Sequence, residues 1–435
     1  MHATSRRSPF PLYGQVLVAL ACGATLGAVF GQNPYWGGLG NEQLGQLGLW
    51  VVWALKTLAV PLIFVAILDS LTHTSLPLRQ GVKLLAICLI NVSVAMMIGL
   101  AIMNLWQPGK SWAGHVEDLL QVVPGSTTSQ PFTPSAHPLE DLVAYIPRTI
   151  INPFASHNII GVVLMALGLG LALRWRQSKT AHPEGMTARL VNAIHWAYGL
   201  LTTILWWVIL AVPFAVFCVV AHVVGRSGLG VFSVLWIFLA AMLLGLAVHA
   251  LFYYPLAAWV VGKKSPKVYI GQGADAIMTA ISCNSSLATV PITLRCLERM
   301  QVSSQSARLA ACVGTNLNND GITLYEAMAA LFLAHALGYD PPMSKQIVIV
   351  VASIIAGAGV AGIPEAGMIV LPLVLSAAGL PDQVILAAIP LIMTVDWIVA
   401  RARSGVNVMS DMLVAILLDA GQSRPAAVSP KSLPM

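Results

Sequence analysis

Long apolar segments without charged residues dominate the first part of the chain. Windows such as 11–31 and 84–106 have the length, about 20 residues, that an α-helix needs to cross the hydrocarbon core of a bilayer. The window 228–262 is longer, which favours a tilted or bent helix. This pattern predicts an all-α polytopic membrane protein. The predicted helices of this part are 10–32, 44–72, 83–107, 141–175, 191–224 and 228–262.

The pattern changes after Lys267, where Gly, Pro, Ser and Asn interrupt the hydrophobic segments. Segment 269–299 carries Ser282–Pro291 at its centre, and segment 345–378 carries Gly357–Gly367 at its centre. Two apolar arms around a helix-breaking tip predict a re-entrant hairpin. Irregular backbone at membrane depth must be satisfied by protein or by an aqueous cavity. Paired interrupted segments therefore indicate the binding site of a transporter.

Between the two predicted hairpins, the helix predicted at 309–338 contains Asn318-Asn319-Asp320-Gly321. These four residues are poor helix formers, so the pattern predicts a break whose free carbonyl groups can coordinate a cation. The alternative is a packing kink in which the Asp320 carboxylate is satisfied by other groups.

The last predicted span, 382–418, carries Asp396, Arg403, Asn407 and Asp411 at spacings of seven, four and four. These spacings place the four side chains on one helical stripe. Arg401 points away from it, and we expect its partner to be a hairpin. Charged side chains in a span are costly and usually functional. A structural ion-pair ladder is the alternative, but we expect Arg403 to face a cavity rather than close a structural pair.

The composition supports a membrane protein, because only 9% of residues are charged and 57% are hydrophobic. We assign 16 of the 23 Lys and Arg to cytoplasmic segments, as the positive-inside rule requires when both termini are cytoplasmic. The net charge of +6 therefore needs no nucleic-acid partner. The six cysteines lie in or beside hydrophobic segments without CxxC or Cys/His clusters, so neither a disulfide framework nor a cysteine metal site is indicated.

At these motifs the sequence resembles the dicarboxylate/amino-acid:cation symporter family, which includes archaeal aspartate transporters and eukaryotic excitatory amino-acid transporters. The first half is similar more loosely. The motifs are the tip Ser285–Pro291, the break Asn318–Gly321, the tip Gly362–Gly367 and the stripe from Asp396 to Asp411.

The resemblance implies a glutamate-transporter-like elevator fold with eight transmembrane helices and two re-entrant hairpins, formed by a single domain over 1–435. It implies a homotrimer in the inner or plasma membrane, with a scaffold mainly at 10–72 and 141–224 and a transport part mainly at 83–107 and 228–420. It also implies a transporter rather than an enzyme, without a cofactor, whose coupling ion is sodium or a proton.

The resemblance further implies which residues bind substrate and cations. Arg403 would clamp one substrate carboxylate and Asn407 the other, while Asp411 would hold one sodium ion and Asp320 would belong to a second cation site. The remaining substrate-binding residues implied are Ser285, Ser286, Gly362, Ala400, Arg401 and Ser404. The remaining cation-binding residues implied are Gly314, Asn318, Asn407 and Asn91.

Several positions depart from the family pattern. Amino-acid carriers place an Asp one turn before the clamp Arg to bind the substrate ammonium, and this chain has Ala400 there. Asn319 lies where the family usually has Met, and Ile322 lies where it has Thr. Asn284 lies where many prokaryotic members have Arg, whereas Arg401 lies at the position where the eukaryotic branch carries its Arg. On the third helix, Asn91 and Val92 stand where Thr and Ser help the second cation site.

These departures favour an amine-free dicarboxylate, such as succinate, fumarate or malate, as the substrate. The alternative within the class is an acidic or neutral amino acid, with a carboxylate such as Glu365 as the ammonium partner. From other classes, a channel is disfavoured because a rigid pore does not need two broken hairpins. A membrane-embedded hydrolase using Ser285 or Ser286 with Asp320 is disfavoured because no His of the C-terminal half lies in a motif that provides a base.

Overall fold

The computed structural model describes residues 12–35, 38–73, 78–113, 149–155, 159–179, 185–316, 318–358 and 366–420, and this part of the chain is built from helices. The α-helices of five or more residues are α1 Leu12–Phe30, α2 Asn41–His73, α3 Leu78–Trp106, α4 Ile159–Lys179, α5 Met186–Leu210, α6 Val212–Ser227, α7 Val231–Val248, α8 Tyr254–Val260, α9 Pro266–Cys283, α10 Ser286–Arg299, α11 Ser304–Arg308, α12 Asp320–Ala336, α13 Met343–Ala358, α14 Ala366–Ala377 and α15 Asp382–Ala420.

Helices α1, α2, α4, α5 and α6 pack mainly on one another, with α2 in contact with α4, α5 and α6, whereas α3 packs on helices of the second half. Helix α1 approaches α6 closely through Gly23 and Gly27, one turn apart on one face. A Cβ atom at Gly27 would lie 2.5 Å from the carbonyl oxygen of Ala221, and one at Gly23 would lie 2.6 Å from that of Phe217. Small residues at such a spacing allow two membrane helices to pack backbone to backbone.

The single helix predicted at 191–224 is wrong, because the structure has two helices that meet at Ala211. Pro213 explains the break, since it lies in the first turn of α6 and lacks the N–H that a continuous helix would need there. The long helix predicted at 228–262 is continuous but irregular. It runs from α7 to α8 through a π-helical turn at His249–Tyr253, a distortion that is often associated with functional sites.

The first hairpin consists of α9 and α10, which pack against each other around a break at Asn284 and Ser285. Asn284 adopts the left-handed conformation with φ 52°, which Asn tolerates better than most residues. The Ser285 hydroxyl then accepts a hydrogen bond from the Ala288 amide at 3.1 Å and caps α10. The predicted tip is therefore a helix break in the structure.

The second hairpin consists of α13 and α14, which also pack against each other. Its predicted tip, with Gly362 and Glu365, lies outside the described residues. Helix α12 lies at the centre of this half, because every residue from Asp320 to Ala336 is buried and the helix packs against α3, α13, α14 and α15. The chain reaches α12 through α11, a π turn, a 3-10 turn and a non-helical stretch at 318–319, as the Asn-rich break predicts.

Among the described residues, three helical stretches are long and apolar enough to cross a membrane: Gln80–Trp106, Met186–Leu210 and Leu235–Val260. Large apolar side chains are exposed on several helices, among them Trp196, Trp207 and Phe252. Exposed apolar surface of this extent suits contact with lipid better than contact with water. The count of eight spans remains a prediction.

Candidate functional site

The polar stripe of α15 faces α12 inside the protein. Asp396, Arg403, Asn407 and Asp411 are each at most 2% exposed, and three of them contact residues of α12 or of the break before it. The stripe thus forms the wall of a buried polar region, with the broken start of α12 opposite. The hairpins also pack on α15, so several interrupted elements converge here.

Arg403 forms a buried ion pair with Asp396, which lies two turns earlier on the same helix. Nη1 and Nη2 donate to the two carboxylate oxygens of Asp396, each at 2.9 Å, which is the bidentate geometry that Arg favours. The guanidinium carbon also lies 4.1 Å from the centre of the Tyr325 ring. The expectation that Arg403 faces a cavity without closing a structural pair is therefore wrong for this conformation.

The guanidinium of Arg403 also lies against the second hairpin. A Cβ atom at Gly367 would be 2.7 Å from its Cζ atom, so any larger residue there would require the guanidinium to shift. Gly367 is the second residue of α14, which begins directly after the segment that is not described. The pair of Arg403 and Asp396 is consequently in direct contact with the hairpin that was predicted to carry a binding tip.

Glu326 is a further ionisable residue of this region that the sequence analysis missed. It is fully buried, neither carboxyl oxygen has a hydrogen-bond partner among the described residues, and it lies within the electrostatic influence of Arg403. An acidic residue inside an apolar predicted span is itself a signal of function. The buried region around Arg403 thus contains a second carboxyl group besides that of Asp396, on the residue that follows Tyr325 in α12.

Asn407 and Asn319 link three elements through their side-chain amides. The Asn407 Oδ1 atom accepts from the Gly321 amide at 2.9 Å, and its Nδ2 atom donates to Asn319 Oδ1 at 3.3 Å. Asn319 in turn donates to the carbonyl oxygen of Gly357 at 3.0 Å. This chain of hydrogen bonds connects α15, the break before α12 and the first arm of the second hairpin.

Asp411 lies in an environment that fits a bound monovalent cation. Its carboxylate accepts a hydrogen bond from the neutral side chain of Asn318, at 3.3 Å, and lies close to the Thr315 hydroxyl. Among the described residues it has no Lys or Arg in salt-bridge range. The Oδ1 atom of Asn318 is buried without a hydrogen-bond partner. A carboxylate and an unused amide oxygen side by side are the ligands that a hard cation prefers.

Asp320 has a different environment, because its Oδ2 atom already receives three donors. Ser410 donates at 2.6 Å and Tyr254 at 3.0 Å, and the His249 Nε2 atom lies at 3.4 Å. This carboxylate is satisfied, as the alternative reading of the break allowed. Asn91, expected near it, accepts instead from the Tyr253 hydroxyl at 2.8 Å. The sequence analysis missed His249, Tyr253 and Tyr254, all at the π turn or next to it.

The other predicted site residues contact different parts of this buried polar region or its surroundings. Ser286 is buried and accepts from the Thr315 hydroxyl at 3.4 Å, so the first hairpin reaches the Asp411 region. Ser404 donates to Asn284 at 2.9 Å, while Arg401 is half-buried and donates to the Trp397 carbonyl oxygen at 3.0 Å. Ala400 is buried, as is Gly314, and Gly362 lies outside the described residues.

Comparisons with known proteins identify similar transporters. The model of the sodium:dicarboxylate symporter family matches residues 12–420. The chain is 32% identical to excitatory amino acid transporter 3 of Mus musculus over 256 residues, which are 58% of this chain and 47% of that protein. It is 35% identical to excitatory amino acid transporter 1 of Mus musculus over 264 residues, 60% of this chain and 47% of that protein. The chain thus spans about half the length of the curated relatives it matches.

Proposed function

Because the chain belongs to the sodium:dicarboxylate symporter family, we propose that it is a secondary active symporter that couples sodium entry to the uptake of an acidic amino acid. The family and the named relatives are transporters, not enzymes. The observation that carries the proposal is the buried Arg403, placed on α15 between the broken start of α12 and the second hairpin.

Arg403 is proposed to bind a carboxylate of the substrate in exchange for Asp396. Its guanidinium is planar and presents paired N–H donors that match a carboxylate. In this conformation Asp396 occupies that position, so the pair neutralises a charge that would otherwise be buried alone at a large cost. A substrate carboxylate would replace one anionic partner with another. Asn407, Ser285, Ser286, Ser404, Arg401 and Gly362 are proposed as the other substrate-binding residues.

An amino acid is favoured as the substrate for two reasons. The relatives reported above carry the name of excitatory amino acid transporters. The carboxylate of Asp396 is paired with Arg403 and that of Glu326 is buried next to Tyr325, which contacts Arg403, so we propose either as counter-charge to a substrate ammonium. A buried ammonium without such a counter-charge would be excluded. These two residues therefore take the role that the sequence analysis gave to Glu365, which lies outside the described residues.

An amine-free dicarboxylate such as succinate is the second candidate, and the observation that favours it is Ala400. This residue is 2% exposed and lies one turn before Arg403, where it offers a substrate ammonium neither charge nor hydrogen bond. The two candidates differ in which carboxylate, if any, faces the amino group. Competition between aspartate and succinate for uptake separates them.

Asp411 is proposed to bind the coupling cation together with Asn318, Asn407 and carbonyl groups near Gly314. Asp320 with Asn91 is proposed as a second cation site only in a conformation in which the donors of Tyr254, Ser410 and His249 are withdrawn. We also propose a homotrimer with cytoplasmic termini, eight spans and two re-entrant hairpins. In it, the part at 83–107 and 228–420 moves as an elevator against the scaffold at 10–72 and 141–224.

Introducing a carboxylate at position 400 should shift selectivity toward aspartate. Ala400→Asp adds a negative charge on the buried face that carries Arg403, so a substrate ammonium gains a charged partner while succinate gains only repulsion. A hydrogen bond to a charged group contributes about 1.5–3 kcal/mol, which corresponds to a change of about tenfold or more in the ratio of aspartate to succinate affinity. Competition of both compounds against labelled substrate in vesicles measures that ratio.

The matched control is Ala400→Asn, which has a similar size without the charge and should leave the ratio near that of the unmodified protein. Aspartate should compete better than succinate already in the unmodified protein. Preferential competition by succinate would support the second candidate, and an unchanged ratio in Ala400→Asp would remove position 400 from the substrate site.

A further inference from the structure

A groove between α3 and α8 lies beside the buried polar site but is not lined by any of its carboxylates. It has a volume of about 660 Å³, and Leu417 and Ala420 at the end of α15 also line it. Cavities of this size hold drug-sized or larger apolar molecules. The lining is almost wholly apolar, so the groove is unsuited to the transported carboxylate.

Two helical faces form the walls of the groove. From α3 come Lys83, Ile87, Ile90 and Asn91, whose spacing of four, three and one places them along one side of the helix. Residue Leu256 and its neighbours at 253, 257, 260 and 261 form the equivalent face around α8. Ile90 and Leu256 are 61% and 55% exposed. Two apolar faces thus leave a slot between them that the described chain does not fill.

The two ends of the groove differ in polarity. At one end, Lys83 lines the groove and its ammonium donates to the main-chain carbonyl oxygen of Leu418 at 2.8 Å. Lys263 follows α8, and its ammonium donates to the main-chain carbonyl oxygen of Val260 at 3.0 Å. At the other end Tyr253 and Asn91 bond each other at 2.8 Å. Positions 83 and 91 are separated by about 12 Å along the helix axis.

We propose that this groove binds an anionic phospholipid, with an acyl chain between α3 and α8 and the phosphate at Lys83 and Lys263. Each ammonium has three donors and, among the described residues, uses one of them in the bond described above, so both can bond phosphate oxygens. A positive end joined to a long apolar slot is complementary to an anionic amphiphile. Both lysines lie in segments predicted to be cytoplasmic, and basic pockets between membrane helices on that side are suited to anionic headgroups.

The acyl chain would end beside the residues that surround Asp320. Tyr253 stacks on His249, with the ring planes 13° apart and the centres 5.1 Å apart, and the His249 Nε2 atom lies 3.4 Å from Asp320. The lipid would therefore complete the packing around a buried polar cluster from the membrane side. This role is independent of which substrate is transported.

The test uses the full chain in phosphatidylcholine vesicles with a trace of a photoreactive lipid probe. The probe is either phosphatidylglycerol or phosphatidylcholine, and in both the photoreactive group is near the end of the acyl chain. After irradiation, mass spectrometry of peptides locates the label. We expect the phosphatidylglycerol probe to label the groove, at residues such as Ile90 and Leu256, about fivefold more than the phosphatidylcholine probe for each lysine that contributes. Other exposed apolar surfaces, such as that around Trp207, should be labelled equally by both probes.

Variants make the result specific for the groove. Lys83→Gln together with Lys263→Gln should remove the preference for phosphatidylglycerol, and the matching Arg variants should keep it. Leu256→Trp should fill the slot and lower labelling there, whereas Leu251→Trp, at an exposed residue that does not line the groove, should not. Equal labelling by both probes in the unmodified protein would overturn the proposal. So would an unlabelled groove, as expected if residues 421–435 or another copy of the chain cover it.

Discussion

Replacing Arg403 by alanine should abolish binding of the acidic substrate. The residue is buried, and truncation of one partner in a buried, hydrogen-bonded charge pair costs about 2–5 kcal/mol, which weakens binding about thirtyfold or more. Substrate affinity of the purified variant, measured by calorimetry or by competition in vesicles, gives this number directly. Arg403→Lys should also lose most of the affinity, because an ammonium cannot reproduce the bidentate contact.

The ion pair with Asp396 requires a control for folding. Arg403→Ala alone leaves the Asp396 carboxylate buried without its partner, which by itself destabilises a protein by about 3–5 kcal/mol. The double variant Arg403→Ala with Asp396→Asn removes both charges and should recover the amount of folded protein without recovering substrate binding. Near-normal affinity of that double variant would show that Arg403 has only a structural role.

Replacing Asp411 by asparagine should weaken the response to sodium more than it affects folding. The change removes the anionic oxygen from a site whose other groups are neutral, and hard cations depend on such ligands. We expect the sodium concentration for half-maximal uptake to rise about tenfold or more. The measurement is substrate uptake into vesicles as a function of external sodium, normalised to the amount of folded protein.

Asp320→Asn is the comparison variant, since it removes a carboxylate of similar burial that belongs to the proposed second cation site but is already satisfied by hydrogen bonds in this conformation. Asp320 accepts hydrogen bonds from Ser410 and Tyr254, so its loss should lower the yield of folded protein more than it changes the sodium response of the protein that remains. An unchanged sodium response in Asp411→Asn, or a larger change in Asp320→Asn, would contradict the assignment of the cation site.

The sequence predicts the elements of this site better than their contacts. The spacing of Asp396, Arg403, Asn407 and Asp411 predicts a common face, because helical periodicity is a local property. The break around Asn284 follows equally from local backbone preferences. The pairing of Arg403 with Asp396 could not be predicted in the same way, since a stripe allows many pairings and the side-chain rotamers depend on neighbours such as Tyr325 and Gly367.

Contacts between distant segments account for the residues that the sequence analysis missed. His249 and Tyr254 bond Asp320 from 71 and 66 positions away, and a π turn determines their orientation. A π turn has no clear signature in a uniformly apolar window. The interruption at Ala211, by contrast, was predictable from Pro213, and it was missed because the hydrophobic pattern continues across it.

Sodium-driven accumulation of substrate tests the central claim most directly. Purified protein in sealed vesicles is given labelled aspartate with sodium outside only, and the internal concentration is followed with time. The account predicts that aspartate rises above its external concentration while the sodium gradient lasts, and that collapse of the gradient by an ionophore releases it. Aspartate that only equilibrates, or that accumulates equally well with a proton gradient and no sodium, would contradict the account.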